Sequence, residues 1–182
     1  LLSNDNEELN EENSNKNAKL ETTIRDYMAG TLSKDISKRY LLPPDIIQAH
    51  EDGIIHFHDM DYYAQHISNC CLVNLDDMLQ NGTCINGVKI DKPHRFLTAC
   101  TIATQIITAV ASSQYGGTSI TLTHLAPFVK DSYNVYYKKY IDNGLDEEQS
   151  NKLAEYDTKK EIKDGVQTFN YQINSMSTTN GQ

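Results

Sequence analysis

The sequence lacks long apolar runs, and none approaches the ~18–20 residues that cross a bilayer. Its amino terminus also lacks the basic flank and apolar core of a signal peptide, so a cytoplasmic protein with no membrane partner is expected. Positive charge is scarce, because 16 Lys and Arg stand against 25 Asp and Glu, for a net charge of −9. Since non-specific nucleic-acid binding needs clustered Lys and Arg, no nucleic-acid partner is expected.

Cysteine is present without the spacing of a disulfide scaffold. The four cysteines are Cys70, Cys71, Cys84 and Cys100, and no two of them form a CxxC pair. Reduced thiols are therefore expected. If the segment around Cys70 and Cys71 is a strand, these two side chains point to opposite faces.

Apolar residues are also few, at 38% of the chain, and the deficit falls mainly in the first 20 residues. Residues 1–18 are mostly Asn, Glu, Ser and Lys, a composition that cannot bury enough surface to offset its ordering entropy. We therefore predict a linker or disordered arm over 1–18, with a further domain before it in the full protein, and a folded region over 19–182.

Within 19–182, apolar spacing predicts long helices separated by short strands. Helices are predicted over 20–41, 45–50, 95–113, 127–141 and 146–174, and strands over 54–58 and 69–75. Asn86-Gly87 is a turn signal beside Cys84-Ile85. Two or three strands cannot complete a closed sheet, so the pattern indicates an α/β fragment or a small α+β domain.

The stretch His56-Phe57-His58-Asp59 ends the first predicted strand. Both imidazoles of a His-x-His pair on a strand share one face, where they are within reach of one metal ion or of a polar substrate. A metal site needs further ligands, and His94 and His124 have no matching context. Three interpretations stay open on the pattern: a substrate contact, a metal-dependent hydrolase using His56 and His58, and core histidines with satisfied hydrogen bonds.

Other candidate groups have equally plain structural explanations. Cys70 is either a reactive thiol or a small buried hydrophobe. Gly116-Gly117 after the 95–113 helix permits a tight turn and lacks the order of a phosphate loop. The tyrosines at 133, 136, 137 and 140 recur on one helix, where packing or an interface is the usual cause.

Several stretches together resemble one family, the anaerobic (class III) ribonucleoside-triphosphate reductases. The stretches are His56-Phe57-His58-Asp59, Asn69-Cys70-Cys71-Leu72, Lys92-Pro93-His94, Thr101-Ile102-Ala103-Thr104 and Ser112-Ser113-Gln114-Tyr115-Gly116-Gly117. The likeness runs over about residues 40–130 and more loosely to the end. The resemblance implies the first strands of a ten-stranded glycyl-radical α/β barrel plus a helical dimerisation region.

The resemblance also implies a chemistry. A glycyl radical generated by a radical-SAM activase passes to a cysteine on a central loop, and the thiyl abstracts the 3′ hydrogen of a ribonucleoside triphosphate. The 2′-hydroxyl leaves as water, with formate as the usual reductant. A further cysteine on the first barrel strand assists reduction, and Cys70 matches it. His56, His58 and Asn69 are the implied substrate contacts.

Regulation and assembly are implied in the same way. The family is a homodimer with ATP and deoxynucleotide effectors, and we assign Asp91, Gln105 and Lys138 to the effector, with Lys139 as the substitute for Lys138. The 95–113 and 146–174 helices carry apolar stripes that a lone fragment cannot cover, so we expect them to form a two-fold interface through Ile106 and Phe169. No metal ligands are assigned here, because the family's zinc cysteines lie in the missing C-terminal part.

The radical cysteine and the radical glycine also lie beyond residue 182, so the segment alone is expected to be inactive. Two alternatives to the reductase are a non-catalytic effector-binding and dimerisation module, and the hydrolase above.

Overall fold

The computed structural model describes residues 21–114, 116–176 and 178, most of which are helical. Its helices are α1 (Glu21–Ile36), α2 (Pro44–Glu51), α3 (Leu75–Gln80), α4 (Phe96–Ala111), α5 (Ala126–Asp142) and α6 (Glu147–Ser175). Its strands are β1 (Cys71–Leu72), β2 (Thr83–Ile85), β3 (Val88–Ile90) and β4 (Thr118–Ser119). A π-helical turn (Ser37–Leu41) extends α1, and 3₁₀ turns lie at Met60–Tyr62 and Leu122–Leu125. The linker predicted for 1–18 lies outside the described residues.

The strands form two separate two-stranded sheets. β1 pairs with β4 in parallel, and β2 pairs with β3 as an antiparallel hairpin. Asn86 and Gly87 have φ angles of 51° and 81°, which is the positive-φ pair that a type I′ hairpin turn requires. The mixed helix and strand composition agrees with the α/β prediction, whereas the ten-stranded barrel stays a prediction.

Both predicted strands are altered in the structure. Residues 54–58 form bends, irregular loop and a turn, because the N–H groups of Ile54 and Ile55 donate to the carbonyl of Ala49 at the end of α2. The strand predicted there is wrong. The 69–75 strand is shortened to Cys71–Leu72, with an isolated parallel bridge between Ser68 and Gln114 before it.

The helix predictions are confirmed within a few residues at their ends. α4 lies at the centre of the core, between α3, α5 and α6. Apolar core residues less than 2% exposed are Leu75, Leu79, Ala99, Cys100, Ala103, Ile106, Phe128 and Ala154. Ile106 is 1% exposed and Phe169 packs against the same core, so α4 and α6 cover each other within one chain. Ile106 is therefore buried within the chain, whereas other apolar residues of α6 stay exposed, and the two-fold interface between copies stays a prediction.

The buried face of α6 is built from small and polar residues. These are Ser150, Ala154, Thr158, Glu161 and Gly165, at helical spacing. The apolar stripe predicted for this helix packs against the core only in part, since Tyr156 is 67% exposed and Val166 is 47% exposed. Gly165 has no side chain because α4 is too close: a Cβ there would lie 2.7 Å from Cε1 of Phe96. In the described part of the chain, no helix has the length and apolar character to cross a membrane.

Candidate functional site

A parallel strand pair positions the central thiol of the site. The N–H of Cys71 donates to the carbonyl of Gly117 at 3.1 Å, and the N–H of Val73 donates to Ser119 at 2.9 Å. One residue pair earlier, the N–H of Gly116 donates to the carbonyl of Asn69 at 3.1 Å. These bonds tie β1 to the segment after α4, which is how parallel strands from distant sequence meet.

Gly116 and Asn69 are in close backbone contact at this junction. A Cβ on Gly116 would lie 2.8 Å from both the carbonyl carbon and the carbonyl oxygen of Asn69. No side chain fits in that space, so glycine is required for its small size. The sequence motif predicts a tight turn here; the close approach of Gly116 to the residue before Cys70 was not predicted.

Strand alternation separates the two adjacent cysteines. Cys70 is exposed, and its thiol donates to Oδ1 of Asn69 at 3.4 Å. Cys71 is half-buried and packs against the core cluster. This arrangement agrees with the expected opposite orientation of the two thiols. Cys70, the residue immediately before β1, is therefore exposed to solvent, whereas Cys71 faces the core.

Gln114 fixes the other side of the junction. It is buried, and its Nε2 donates to the carbonyl of Gly116 at 3.1 Å and to Oγ1 of Thr118 at 2.6 Å. A buried amide that bridges a turn in this way holds the backbone in one conformation. The neighbouring Tyr115 lies outside the described residues.

Two cavities flank this junction, and Ser113 and Gln114 border both of them. One, of about 330 Å³, lies between the β2–β3 hairpin and α4, and Cys71 and Cys84 line it. The other, of about 370 Å³, lies between α1, the 61–67 segment and the end of α4. Cys70 borders neither cavity.

His56 and His58 occupy a loop between α2 and the Met60–Tyr62 turn. Both are exposed, and their ring centroids are 5.9 Å apart in an edge-on arrangement. Nδ1 of His58 lies 2.8 Å from Oδ2 of Asp59. Because the segment is not a strand, the argument that alternation places both rings on one face fails here. Among the described residues, no group of three or more His, Cys, Asp or Glu side chains is arranged to hold a metal ion.

The three residues assigned to an effector lie on separate elements, and no hydrogen bond or ion pair joins them. Asp91 follows β3 and forms an exposed ion pair with Lys89 at 3.5 Å. Gln105 is exposed on α4, and Lys138 is exposed on α5. The substitute residue, Lys139, lies over the ring of Tyr140 at 5.2 Å.

A charge cluster around the buried Glu161, at the amino end of α4, was missed by sequence reasoning. Glu161 of α6 is 4% exposed and accepts a hydrogen bond from Nη2 of Arg95 at 2.9 Å. Arg95 also donates to the hydroxyl of Tyr136, and its guanidinium carbon lies 4.9 Å from the centre of that ring. The sequence pattern that could have indicated this cluster is the charged Glu161, which falls at helical spacing among the small buried residues of α6.

Electrostatics in the cluster follow from burial and pairing. Burial opposes ionisation of Glu161, but the hydrogen bonds from Arg95 and from the Leu97 N–H outweigh it and lower the pKa of this carboxyl. Burial and the adjacent Glu161 raise the pKa of Tyr136 to about 12. Burial, followed by the charge of Glu161, raises the pKa of the Cys100 thiol to about 11.

The cluster consequently contains one carboxylate, one guanidinium and a neutral phenol at physiological pH. The other tyrosines of α5 have structural partners as well. Tyr133 stacks on Tyr137 at 6.2 Å between ring centroids, and the Tyr140 hydroxyl donates to Asp157 of α6. Helical packing therefore explains the recurrence of tyrosine on this helix.

Comparison with known proteins identifies the family of this site. A family model described as anaerobic ribonucleoside-triphosphate reductase matches residues 12–182. Proteins named anaerobic ribonucleoside-triphosphate reductase from Salmonella typhimurium, Escherichia coli and Enterobacteria phage T4 are each 39% identical, over 185, 185 and 187 residues. Each alignment covers 100% of this chain but 26, 26 and 30% of the relative, so the chain spans roughly a quarter of the length of these enzymes. With a match over nearly all its residues, the chain belongs to the anaerobic ribonucleoside-triphosphate reductase family.

Proposed function

We propose that the full-length protein containing this chain reduces ribonucleoside triphosphates to deoxyribonucleotides by glycyl and thiyl radical chemistry. Formate is the reductant, and a radical-SAM activase generates the glycyl radical. In this proposal the chain supplies the first strands of the catalytic barrel and is inactive alone. Support comes from the family match over residues 12–182 and from the position of one thiol.

The observation that carries the proposal is the orientation of Cys70. Cys70 is exposed at the start of β1, whereas Cys71 packs toward the core. The backbone that presents Cys70 is fixed by the pairing with β4 and by the contact between Asn69 and Gly116. A thiol that donates a hydrogen atom needs a rigid backbone and an open approach, and Cys70 has both.

Each site residue then has a role. Cys70 assists reduction of the substrate radical, and Asn69, whose Oδ1 accepts the Cys70 thiol hydrogen, orients both the thiol and the ribose. His56 and His58 contact the substrate through their exposed imidazoles. Protonation of the departing 2′-hydroxyl releases it as water, and formate supplies the two electrons that the reduction requires.

The test uses three cysteine variants of the full-length enzyme. Cys70→Ala should abolish nucleotide reduction and leave the glycyl radical able to form, as measured by electron paramagnetic resonance. Cys71→Ala controls for the neighbouring half-buried thiol, and Cys84→Ala controls for another exposed thiol. Near-normal turnover in Cys70→Ala, or equal loss in Cys84→Ala, would contradict the assignment.

Regulation is the second part of the proposal. The full-length protein acts as a homodimer, and ATP and deoxynucleotides are its effectors. Asp91, Gln105 and Lys138 supply hydrogen-bonding and charged groups for one deoxynucleotide. All three side chains are exposed in this chain, so they are accessible to a ligand or to a second copy of the chain.

A further inference from the structure

The loop that carries His56 and His58 is anchored by a third histidine. We propose that His50 is a positioning residue, which holds the His56–His58 pair in its substrate-binding geometry through the backbone of Phe57. This inference rests on the proposed function, because it presumes that the pair contacts the substrate. His50 lies in the last turn of α2, and its ring centroid is 5.7 Å from that of His56.

The loop begins in a tightly bonded helix end. The N–H of Ile54 donates to the carbonyl of Ala49 at 2.9 Å, and the N–H of Gly53 donates to the carbonyl of His50 at 3.2 Å. With Gly53 at a φ of 71°, these two bonds form a Schellman motif at the end of α2. The direction in which the chain leaves the helix is therefore fixed.

His50 extends this anchoring to the centre of the histidine pair. Its Nδ1 accepts the backbone N–H of Phe57 at 3.3 Å. A ring nitrogen accepts a hydrogen bond through its lone pair, so this contact depends on a side chain with an acceptor at the position of Nδ1. The ring of Phe57 packs edge-on against Tyr63 at 5.3 Å between centroids. Phe57 is thus held by its N–H on one side and by its ring on the other, between the two exposed imidazoles.

The loop ends at Asp59, whose backbone has an uncommon conformation. Asp59 has a φ of 58°, in the left-handed region that non-glycine residues seldom occupy. Its carboxylate lies 2.8 Å from Nδ1 of His58, so the side chain orients that ring. Backbone strain of this kind persists where surrounding structure over-determines the geometry, and it concentrates at functional sites. His50 and Asp59 therefore brace the pair from opposite ends.

A pair of substitutions in the full-length reductase isolates the proposed bond. His50→Asn places a side-chain oxygen near the position of Nδ1 and keeps the acceptor, whereas His50→Leu has similar bulk and no acceptor. Leu has a higher helix propensity than Asn, so a general effect on the stability of α2 would favour His50→Leu. A larger loss in His50→Leu than in His50→Asn therefore cannot come from destabilising the helix. Gln48→Leu, at an exposed position of the same helix, is the matched control, because it removes a side-chain hydrogen bond, from Nε2 to Oδ1 of Asp52 at 2.8 Å, that does not reach Phe57. His56→Ala tests the presumed substrate role directly.

We expect His50→Leu to raise KM for the ribonucleoside triphosphate about tenfold, with a smaller change in kcat, as the loss of one hydrogen bond predicts. His50→Asn and Gln48→Leu should stay within about threefold of the wild type. In amide hydrogen exchange, the segment containing the Phe57 N–H should be protected in the wild type and in His50→Asn, and should lose that protection in His50→Leu. The exchange measurement on the wild type also tests the bond if His50→Leu does not fold.

Equal KM values in the Leu and Asn variants would overturn the inference, as would fast exchange at Phe57 in the wild type. If His56→Ala raises KM while His50→Leu does not, the positioning role fails and the proposed substrate contact survives. If His56→Ala leaves KM unchanged, the substrate role of the pair fails, and the inference fails with it.

Discussion

The carboxylate of Glu161, in the middle of α6, accepts the backbone N–H of Leu97 in the first turn of α4 at 3.0 Å. Its other oxygen accepts from Arg95 at 2.9 Å, and the hydroxyl of Ser132 on α5 accepts the N–H of Phe96 at 2.8 Å. The first N–H groups of a helix have no partner within the helix, and a negative charge there also complements the helix dipole. Residues of α5 and α6 therefore cap α4, which joins the three helices at one point.

Removing the charge of Glu161 should destabilise this junction. Glu161→Ala leaves Arg95 and the Leu97 N–H without their shared acceptor. Because the Arg95 side chain is 42% exposed and stays partly solvated, we expect a loss of about 2–4 kcal/mol in the free energy of unfolding. Glu161→Gln retains one oxygen as an acceptor and should cost less, about 1.5–3 kcal/mol. Denaturant unfolding of the 182-residue chain measures both. Glu155→Gln, an exposed position on the same helix, is the control and should change stability by less than about 0.5 kcal/mol.

The same junction gives the chain an acid-sensitive contribution to stability. Because the folded structure lowers the pKa of Glu161, this contribution is fully present above the unfolded-state pKa, near about 4.3, and is lost as pH falls through the folded pKa. The stability difference between wild type and Glu161→Gln should therefore be constant near neutral pH and shrink below about pH 4. A difference that grows on acidification would contradict this assignment.

Two adjacent glycines offer a matched test of the site backbone. A Cβ on Gly116 would meet the Asn69 backbone at 2.8 Å, whereas a Cβ on Gly117 would meet nothing within 4 Å. Gly116→Ala should cost about 1–3 kcal/mol by overpacking and should displace Cys70. Since small misplacements of reacting groups are expensive, turnover of the full-length enzyme should fall by at least about tenfold. Gly117→Ala should be close to wild type; equal effects of the two substitutions would refute the close-contact explanation.

Helix positions were predictable because helices depend on local apolar spacing. The pattern of α4, with Ala99, Ala103 and Ile106 on one face, is also its buried face in the structure. The same method misjudged α6, where Ser150, Ala154 and Gly165 are buried and Tyr156 is exposed. Close helix packing favours small residues over large apolar ones, so the largest side chains of α6 lie beside the contact.

Strands and site contacts were harder to predict from the sequence, because they depend on contacts with other parts of the chain. Ile54 and Ile55 are β-branched residues that favour a strand, but their N–H groups donate to the carbonyl of Ala49 at the end of α2. Strand propensity takes no account of such a hydrogen bond to a preceding helix. The contacts of Gly116 with Asn69 and of Glu161 with Leu97 join residues 47 and 64 positions apart. Pairings over such distances depend on the tertiary fold, whereas the opposite orientation of Cys70 and Cys71 follows from strand alternation alone.

The four thiols should differ strongly in reactivity. Cys70 and Cys84 are exposed, Cys71 is half-buried and Cys100 is buried, with burial and the Glu161 charge raising the pKa of Cys100 to about 11. At pH 8 the thiolate fraction of Cys100 is then about one in a thousand, and its burial further restricts contact with the reagent. Timed alkylation with iodoacetamide and peptide mass spectrometry should label Cys70 and Cys84 first and Cys100 last. Rapid labelling of Cys100 in folded protein would contradict the placement of this residue in the core.

Lys138 should anchor the effector phosphates if the proposed regulatory site is correct. Its side chain is exposed on α5, whereas the neighbouring Lys139 is positioned over the ring of Tyr140. A charge-assisted contact of lysine with phosphate contributes about 1.5–3 kcal/mol, so Lys138→Ala should weaken effector binding roughly ten- to hundredfold. Calorimetric titration of deoxythymidine triphosphate into the full-length enzyme measures this change. Lys130→Ala, another exposed lysine on α5, serves as the control and should bind normally. A loss in Lys139→Ala instead would move the anchor by one residue, and unchanged affinity in both variants would place the effector elsewhere.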